Sequence, residues 1–258
     1  MAAPRKLRLD VALVERGLAP TRARAQSLVM ARRVRVDGEW IDKPGASVSA
    51  EHEITVDEPE HPWVGRGGIK LAGAIDHFAI PVEGRVCADI GASTGGFTDV
   101  LLQRGARLVY AIDVGHGQLD QKLREDPRVV KREKTNTRHL ERADFDPAPS
   151  LATVDVSFIS LRLILPAIAR ILEKGGELVA LIKPQFEVGK GEVGKGGIVR
   201  DEERRLGAID GVAQFAQNLG FELAGVIDSP IRGAEGNLEA LLHARWPGAI
   251  SGENGDAG

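Results

Sequence analysis

The sequence is poor in cysteine and in aromatic residues: its 258 positions include one Cys, one Tyr and 4% aromatic residues overall. The single thiol, Cys87, excludes an internal disulfide and a zinc site built on cysteines, so we expect a reducing cytoplasm and no metal. Long apolar runs are also missing, because Pro166 and Arg170 interrupt the best one, at 161–172. No segment reaches the ~18 residues of a membrane span, and the first ten residues, MAAPRKLRLD, lack the apolar stretch of a signal peptide.

Hydrophobic residues make up 43% of the chain and charged residues 28%, which is typical of a folded protein with a core. The net charge of −3 hides a step along the chain. Residues 1–35 hold nine bases and two acids, whereas residues 36–60 hold one base and eight acids. This step indicates a small module with one basic face, although solvated helices followed by a solvated hairpin would give the same charges.

The pattern inside this basic segment predicts two helices and a small sheet. A helix begins at Leu9, and a second helix covers 21–32 with Thr21 as its N-cap. Arg22 and Arg24 in its first turn oppose the helix dipole, which favours a role in phosphate binding over support of the helix. Short strands are predicted at 34–36, 40–41 and 53–56.

This order of elements resembles the small RNA-binding module of the ribosomal-protein-S-four type, carried here by LRLDVALVERGLAPTRARAQSLVMARRVRVDGEWIDKPG. The resemblance covers about residues 7–57 and implies contact with structured RNA through the second helix. We therefore expect an RNA-binding domain at 1–60, followed by a linker at 61–67. The side chains expected to contact RNA are Lys6, Arg8, Arg22, Arg24, Arg32 and Arg33.

From Gly68 onward, strand and helix signals alternate, which predicts a mostly parallel, doubly wound α/β sheet in a domain at 68–250. The tail at 251–258, SGENGDAG, is too polar and too rich in glycine to fold. The predicted strands cover 85–90, 108–112, 128–131, 151–156, 177–182, 221–227 and 238–245. The predicted helices cover 68–78, 98–104, 118–124, 161–172 and 201–219.

A ligand of such a sheet binds at the carboxyl ends of its strands. The first strand ends in Asp89 and runs into a glycine-rich turn, DIGASTGGF, which lacks the G-x-G-x-x-G spacing that cradles a pyrophosphate. A carboxylate at this position suits a cationic ligand, and Asp113 at the next strand end is placed to accept both ribose hydroxyls of an adenosine. An adenosine that carries a sulfonium and an amino acid is S-adenosylmethionine.

A structural glycine turn and a dinucleotide dehydrogenase are the alternatives to this cofactor, and the missing phosphate-binding spacing disfavours the second. If the cofactor is S-adenosylmethionine, the expected contacts are Asp89, Gly91, Ala92, Ser93, Gly95, Gly96, Phe97, Asp113 and Asp155.

The residue types at the predicted site limit which kind of atom can accept the methyl group. Methylation of a pyrimidine carbon usually needs a cysteine nucleophile, but Cys87 lies inside the first strand. Methylation of a base amine typically uses an Asn/Asp-Pro-Pro-aromatic element, whereas 155–158 reads DVSF. An oxygen acceptor remains. A ribose hydroxyl must lose its proton to react, and Lys183 at the end of a predicted strand is a candidate base, with an ordinary exposed lysine as the alternative.

Four positions resemble the K-D-K-E tetrad of FtsJ-type ribose 2′-O-methyltransferases: Lys70 in GGIKL, Asp155 in DVSFIS, Lys183 in KPQFE and Glu239 in GNLE. With the RNA-binding module ahead of it, the chain resembles the haemolysin A (TlyA) family from Leu7 to about Trp246. The resemblance implies a Rossmann-like, seven-stranded methyltransferase that modifies the 2′-oxygen of cytidines in ribosomal RNA of the small and large subunits. It implies that Lys183 activates the hydroxyl, that Asp155 orients Lys183 and the donor, and that Lys70 and Glu239 hold the ribose.

The partners implied are ribosomal RNA and ribosomal subunits, with no membrane, and we expect a monomer. The glycine-rich stretch 186–200 is predicted to act as a lid in which Lys190 and Lys195 contact RNA phosphate, with a disordered loop as the alternative. Two other functions remain as alternatives. The family's historical name suggests a membrane-lytic toxin, and an RNA-binding assembly factor would bind the cofactor without turnover.

Overall fold

The computed structural model describes residues 6–19, 21–30, 32–57, 61–189, 191, 193–194 and 196–248. The chain divides into two compact units, at 1–62 and 63–258. Three sequence-based expectations lie outside the described residues: the contacts of Lys190, the contacts of Lys195 and the state of the tail at 251–258.

The smaller unit packs two helices against short antiparallel strands around a core that includes Leu9, Leu13, Ala25 and Val29. Its elements are β1 (Leu7–Arg8), α1 (Leu9–Glu15), α2 (Arg22–Met30), β2 (Val34–Val36), β3 (Glu39–Trp40), β4 (Ser47–Val48) and β5 (Ile54–Val56). Strand β2 pairs with β3 on one side and β5 on the other, while β1 pairs with β4.

One buried carboxylate, Asp10, joins α1 to the start of α2. It accepts hydrogen bonds from Arg8 and Arg22 at 3.0 Å and from Gln26 at 2.8 Å. The hydrogen bond from Arg8, with those from Gln26 and Arg22, holds the pKa of the Asp10 carboxyl well below its usual range. Arg22 therefore supports the fold through this ion pair, which corrects the expectation that it has no stabilising role. Its contact with RNA stays a prediction. The predicted N-cap is confirmed, since Thr21 Oγ1 accepts from Arg24 N.

The larger unit is built on one seven-stranded sheet. Its strands are β6 (Val86–Ile90), β7 (Leu108–Ile112), β8 (Val129–Arg132), β9 (Leu151–Val154), β10 (Glu177–Ile182), β11 (Glu222–Asp228) and β12 (Ala240–Arg245). Their order across the sheet is β11-β12-β10-β9-β6-β7-β8. Strand β12 runs antiparallel to β10 and β11, and the other neighbours are parallel, so the predicted mostly parallel α/β sheet is confirmed.

Helices cover both faces of this sheet, and strand residues alternate between two cores. Ala88 and Ile90 pack in one core, which also holds Leu165, whereas Cys87 packs in the other with Leu71. The helices are α3 (Gly67–Phe78), α4 (Gly96–Gln103), α5 (Gln121–Arg124), α6 (Leu165–Ile171) and α7 (Glu202–Asn218). Single 3₁₀ turns lie at 137–139, 142–144, 161–163 and 184–186.

The main departures from the predicted elements lie beside the carboxyl ends of the strands. Strand β9 ends at Val154, two residues before the predicted end. The helix predicted at 161–172 is a 3₁₀ turn followed by α6, because Pro166 is tolerated only in the first turn of a helix. Among the helices in the described part of the chain, none is both long and apolar enough to cross a membrane.

Candidate active site

Two adjoining cavities lie at the carboxyl ends of β6, β7, β9 and β10. The first has a volume of about 310 Å³ and is lined by both Lys70 and Lys183. The second has a volume of about 360 Å³ and is lined by Asp113 and the segment Asp155–Ile159. Their shared wall consists of Gly91, Ser93, Asp155 and Ser157.

The turn after β6 can approach the end of β9 closely because Gly91, in that turn, has no side chain. Gly91 has a φ of +81°, and a Cβ atom built on it would lie 2.5 Å from the carbonyl oxygen of Asp155. A larger residue would therefore push the β6 turn away from the end of β9.

A second close approach positions the start of α3. A Cβ atom on Gly96, the first residue of α4, would lie 3.1 Å from the backbone nitrogen of Gly68. The turn Gly65–Arg66–Gly67 therefore rests against the glycine-rich turn and lines the first cavity. Our sequence reasoning missed these three residues, although GRGG so close to Lys70 was a usable signal.

The four tetrad residues form two lysine–carboxylate pairs. Lys70 Nζ lies 2.5 Å from Glu239 Oε2, and the two residues are only 5% and 3% exposed. Lys183 Nζ lies 2.6 Å from Asp155 Oδ1. Lys70, Asp155 and Lys183 line the first cavity, and Glu239 stands behind Lys70. A buried charge needs such a partner, so each pair supports the charges of its members.

Lys183 has a second partner that the sequence reasoning did not assign. Its Nζ donates a hydrogen bond of 2.8 Å to Ser157 Oγ. Lys183 is thus held by one ion pair and one hydrogen bond, and no third partner occurs among the residues described.

Asp113 presents a prepared carboxylate to the second cavity. Its Oδ2 accepts from the backbone N–H of Ser93 at 2.8 Å, and its Oδ1 accepts from that of Gly115 at 2.6 Å. A carboxylate offers about four lone-pair sites, so each oxygen keeps one for a further donor. Neighbouring hydroxyls of a ribose supply two such donors. Val114, Val156, Ile159 and Ile164 give the same cavity apolar walls.

Asp89 and Gly95, two of the expected cofactor contacts, lie elsewhere. The side chain of Asp89 is 0% exposed and accepts hydrogen bonds from Thr98 Oγ1 at 2.6 Å and Thr153 Oγ1 at 3.2 Å. Burial raises its pKa to about 7. The expectation that Asp89 presents a carboxylate at the mouth of the ligand site is wrong, because its side chain lines neither cavity. Neighbouring side chains of a strand point to opposite faces of the sheet, so Asp89 lies on the face opposite to Ile90, where it is buried. A Cβ on Gly95 would meet Leu123 rather than either cavity.

Phe158 is the most exposed large apolar side chain at the site. It is 87% exposed, lines the second cavity and has a φ of +63°, which is uncommon for a residue with a bulky side chain. Its ring centroid lies 5.2 Å from that of Phe186, in the turn after β10. The cavity also includes Gln118, Asn136 and Thr137, to which sequence reasoning assigned no role. The remaining expected cofactor contacts, Ala92, Gly96 and Phe97, line the first cavity.

Six of the basic residues expected to contact RNA lie in the smaller unit, and they differ in their partners. Arg8 and Arg22 share Asp10, and Arg32 lies 3.8 Å from Asp42. The half-buried side chain of Arg24 and the exposed side chain of Lys6 have no ion-pair partner among the described residues of this unit. Both side chains therefore remain candidates for contact with an external phosphate.

A seven-stranded, mostly parallel sheet with cavities at the carboxyl ends of its strands places the larger unit in the Rossmann-like class of α/β folds. Residues 63–246 match the FtsJ-like methyltransferase family, and residues 7–54 match the S4 domain. The chain belongs to the FtsJ-like methyltransferase family, so the family and fold class predicted from the sequence are confirmed.

Similar proteins match along nearly the whole chain. A Mycobacterium tuberculosis protein named "16S/23S rRNA (cytidine-2′-O)-methyltransferase TlyA" is 49% identical over 242 residues, covering 93% of this chain and 90% of the relative. "Hemolysin A" of Brachyspira hyodysenteriae is 42% identical over 238 residues, covering 92% and 99%. A solved structure titled "Putative hemolysin from Streptococcus thermophilus" aligns with a TM-score of 0.74 at 48% identity, covering 95% and 90%.

The buried Asp89 predicts a specific pH dependence of stability. Its pKa is about 7 in the folded chain and ~3.9 in an unfolded one, so between these values the native state binds a proton that the unfolded state releases. The free energy of unfolding should therefore fall by about 2–4 kcal/mol as pH rises from about 4 to 7, and Asp89→Asn should lack this fall. Urea denaturation across pH 4.5–8 measures it, with the surface change Asp76→Asn as control. Parallel curves for Asp89→Asn and the unmodified chain would contradict the assignment.

Proposed function

We propose that this chain transfers a methyl group from S-adenosylmethionine to the 2′-oxygen of a cytidine ribose in ribosomal RNA of the small subunit, the large subunit or both. The observation that carries the proposal is the position of Lys183, which contacts Asp155 and Ser157 in the wall shared by the two cavities. The name and 49% identity of the Mycobacterium tuberculosis relative support this choice of nucleotide and RNA. Such a substrate places the reaction in the cytoplasm.

S-adenosylmethionine suits the second cavity for reasons of chemistry. Asp113 would accept the ribose hydroxyls, and apolar residues such as Val114 and Ile159 would flank the adenine. Asp155 in the shared wall would face the charged end of the cofactor. When bound, the cofactor supplies a methyl group on a positively charged sulfur. Residues expected to shape its site are Gly91, Ala92, Ser93, Gly96, Phe97, Asp113 and Asp155.

Lys183 acts on the acceptor in this proposal. Its Nζ takes the proton from the 2′-hydroxyl while the oxygen gains the methyl group. Asp155 and Ser157 hold the nitrogen, and the buried Lys70–Glu239 pair fixes the opposite side of the first cavity. Transfer is an in-line displacement, so most of the acceleration comes from holding the reacting atoms in position.

The S4 domain is proposed to capture the RNA, with Arg24, Arg32 and Arg33 on phosphates. Domain limits at 1–60, 61–67 and 68–250 remain part of the proposal. The monomeric state stays a prediction, which light scattering of the purified chain measures. A toxin would release dye from liposomes without transferring methyl groups, and an assembly factor would bind S-adenosylmethionine without turnover.

Methyl transfer to ribosomal subunits tests the function directly. Purified small and large subunits that lack the modification are incubated with the chain and labelled S-adenosylmethionine, and the labelled nucleotide is mapped. We expect label on the 2′-oxygen of a cytidine. Label on a base, or none on either subunit, would contradict the proposal.

The same assay tests Lys183. Lys183→Ala should lower kcat at least about 10²-fold, the low end for a general base. Lys183→Arg should fail almost as badly, because a guanidinium stays protonated at working pH. Lys174→Ala, which removes a lysine before the opposite end of β10, serves as the control and should keep normal kcat. Near-normal turnover of Lys183→Arg would show that this position supplies positive charge rather than a base.

Cofactor binding tests Asp113. Asp113→Ala should weaken binding of S-adenosylmethionine by about 1–3 kcal/mol, because ribose hydroxyls would lose a buried acceptor. Calorimetry gives the dissociation constant, and Asp76→Ala controls for the loss of a surface carboxylate. An unchanged constant in Asp113→Ala would remove this residue from the cofactor site.

The salt dependence of RNA affinity tests whether the smaller unit binds the RNA. Arg24→Gln should weaken binding to ribosomal RNA and lower the slope of log affinity against log salt concentration by about 1, because one phosphate contact is lost. Arg107→Gln removes an equal charge from the exposed surface of the larger unit and should leave the slope unchanged. Equal slopes for Arg24→Gln and the unmodified chain would exclude Arg24 from the interface.

A further inference from the structure

Asp155, Ser157 and Lys183 lie just beyond the last paired residues of β9 and β10. The parallel ladder between β9 and β10 ends with Val154 opposite Ala180. Asp155 and Ser157 follow β9, and Lys183 follows β10. The backbone N–H of Asp155 still donates to Ile90 O of β6, so the sheet positions the start of the segment 155–161. Beyond that point, side-chain contacts are what join this segment to the segment 183–187.

Two contacts in addition to those of Lys183 join the segments. The first is the ring contact between Phe158 and Phe186, which involves one highly exposed side chain. The second is a double hydrogen bond. Glu187 Oε2 accepts from Ser160 Oγ at 2.6 Å, and Glu187 Oε1 accepts from the backbone N–H of Leu161 at 2.7 Å.

The carboxylate of Glu187 fastens the far end of the 155–161 segment. Ser160 is the N-cap of the 3₁₀ turn at 161–163, and its hydroxyl also accepts from the N–H of Arg162. Glu187 therefore accepts from the hydroxyl of the N-cap residue and from the backbone N–H of Leu161, the first residue of the same turn. Burial raises its pKa, while Ser160, Leu161 and the charge of Arg162 oppose that rise.

Glu187 lines neither cavity and does not belong to the lysine–carboxylate tetrad. We propose that Glu187 is a positioning residue for methyl transfer, which holds the two strand-end segments at the spacing that lets Lys183 contact Asp155 and Ser157. The inference rests on the proposed function and adds a residue that acts through Lys183. A displacement of about 1 Å at a reacting group lowers rates by up to about 10²-fold, so such a connection has a measurable effect on rate.

The two simplest substitutions separate the connection from the charge. Glu187→Ala removes both hydrogen bonds. In Glu187→Gln, the amide oxygen still accepts from Leu161 N–H. The amide nitrogen replaces Oε2 and donates to Ser160 Oγ, whereas Oε2 accepted a hydrogen bond from that hydroxyl. Glu141→Ala is the control, since Glu141 precedes the 3₁₀ turn at 142–144 and pairs with Arg170 at 3.1 Å, away from both cavities.

Steady-state methylation of ribosomal subunits gives the first readout. We expect Glu187→Ala to lower kcat about 10- to 100-fold, with KM for the subunit and the dissociation constant of S-adenosylmethionine within about threefold of normal. Glu187→Gln should keep kcat within about threefold, and Glu141→Ala should match the unmodified chain. A normal kcat in Glu187→Ala would overturn the proposal, and so would an equal loss in Glu187→Ala and Glu187→Gln.

Amide hydrogen exchange gives a second readout that does not depend on activity. Glu187→Ala should raise exchange at least about tenfold in peptides covering 155–163, because Leu161 N–H loses its acceptor and the segment loses its fastening. Glu187→Gln and Glu141→Ala should leave these peptides protected. Unchanged exchange in Glu187→Ala would overturn the proposal even if the unmodified chain transferred no methyl groups, an outcome that would count separately against the proposed function.

Discussion

The approach of the β6 turn to the backbone of Asp155 is the constraint on which the rest of the site depends. Gly91 lies so close to the Asp155 carbonyl that a Cβ atom would overlap it. This contact joins the walls of two cavities that differ in chemistry, one with the Asp113 carboxylate and one with two lysines. A donor and an acceptor bound there would meet at Asp155 and Ser157, where Lys183 also makes its contacts.

Pairing with carboxylates allows two charged lysines to lie in this partly buried site. Lys70 would be costly without Glu239, because each of them is nearly removed from water. The pair joins α3 to the residue before β12, which are 169 positions apart in the chain. Removing one partner of such a pair leaves an unpaired buried charge, so both residues also have a structural role. In the smaller unit, Asp10 has a similar role because it organises Arg8 and Arg22.

Carboxylates that are wholly or partly removed from water have different partners in this chain. Guanidinium groups hold the pKa of Asp10 below its usual range, whereas Asp89 has Thr98 and Thr153 as partners and burial raises its pKa. Glu187 faces a hydroxyl and a backbone N–H at the strand ends. Composition alone treats these three residues as equivalent charges, while the structure gives each a different set of partners.

Local sequence patterns were sufficient to predict the alternation of strands and helices and the strands 108–112 and 177–182 to the residue. They also singled out Lys70, Asp155, Lys183 and Glu239 as candidate site residues. These features depend on local periodicity and on motifs within a few residues. In contrast, the folded chain was needed to see that Asp89 points into the core, that Arg22 pairs with Asp10 and that Ser157 and Glu187 bind across two strand ends. Such outcomes depend on which face of a strand a side chain takes and on contacts between residues 12 to 64 positions apart, which no local pattern encodes.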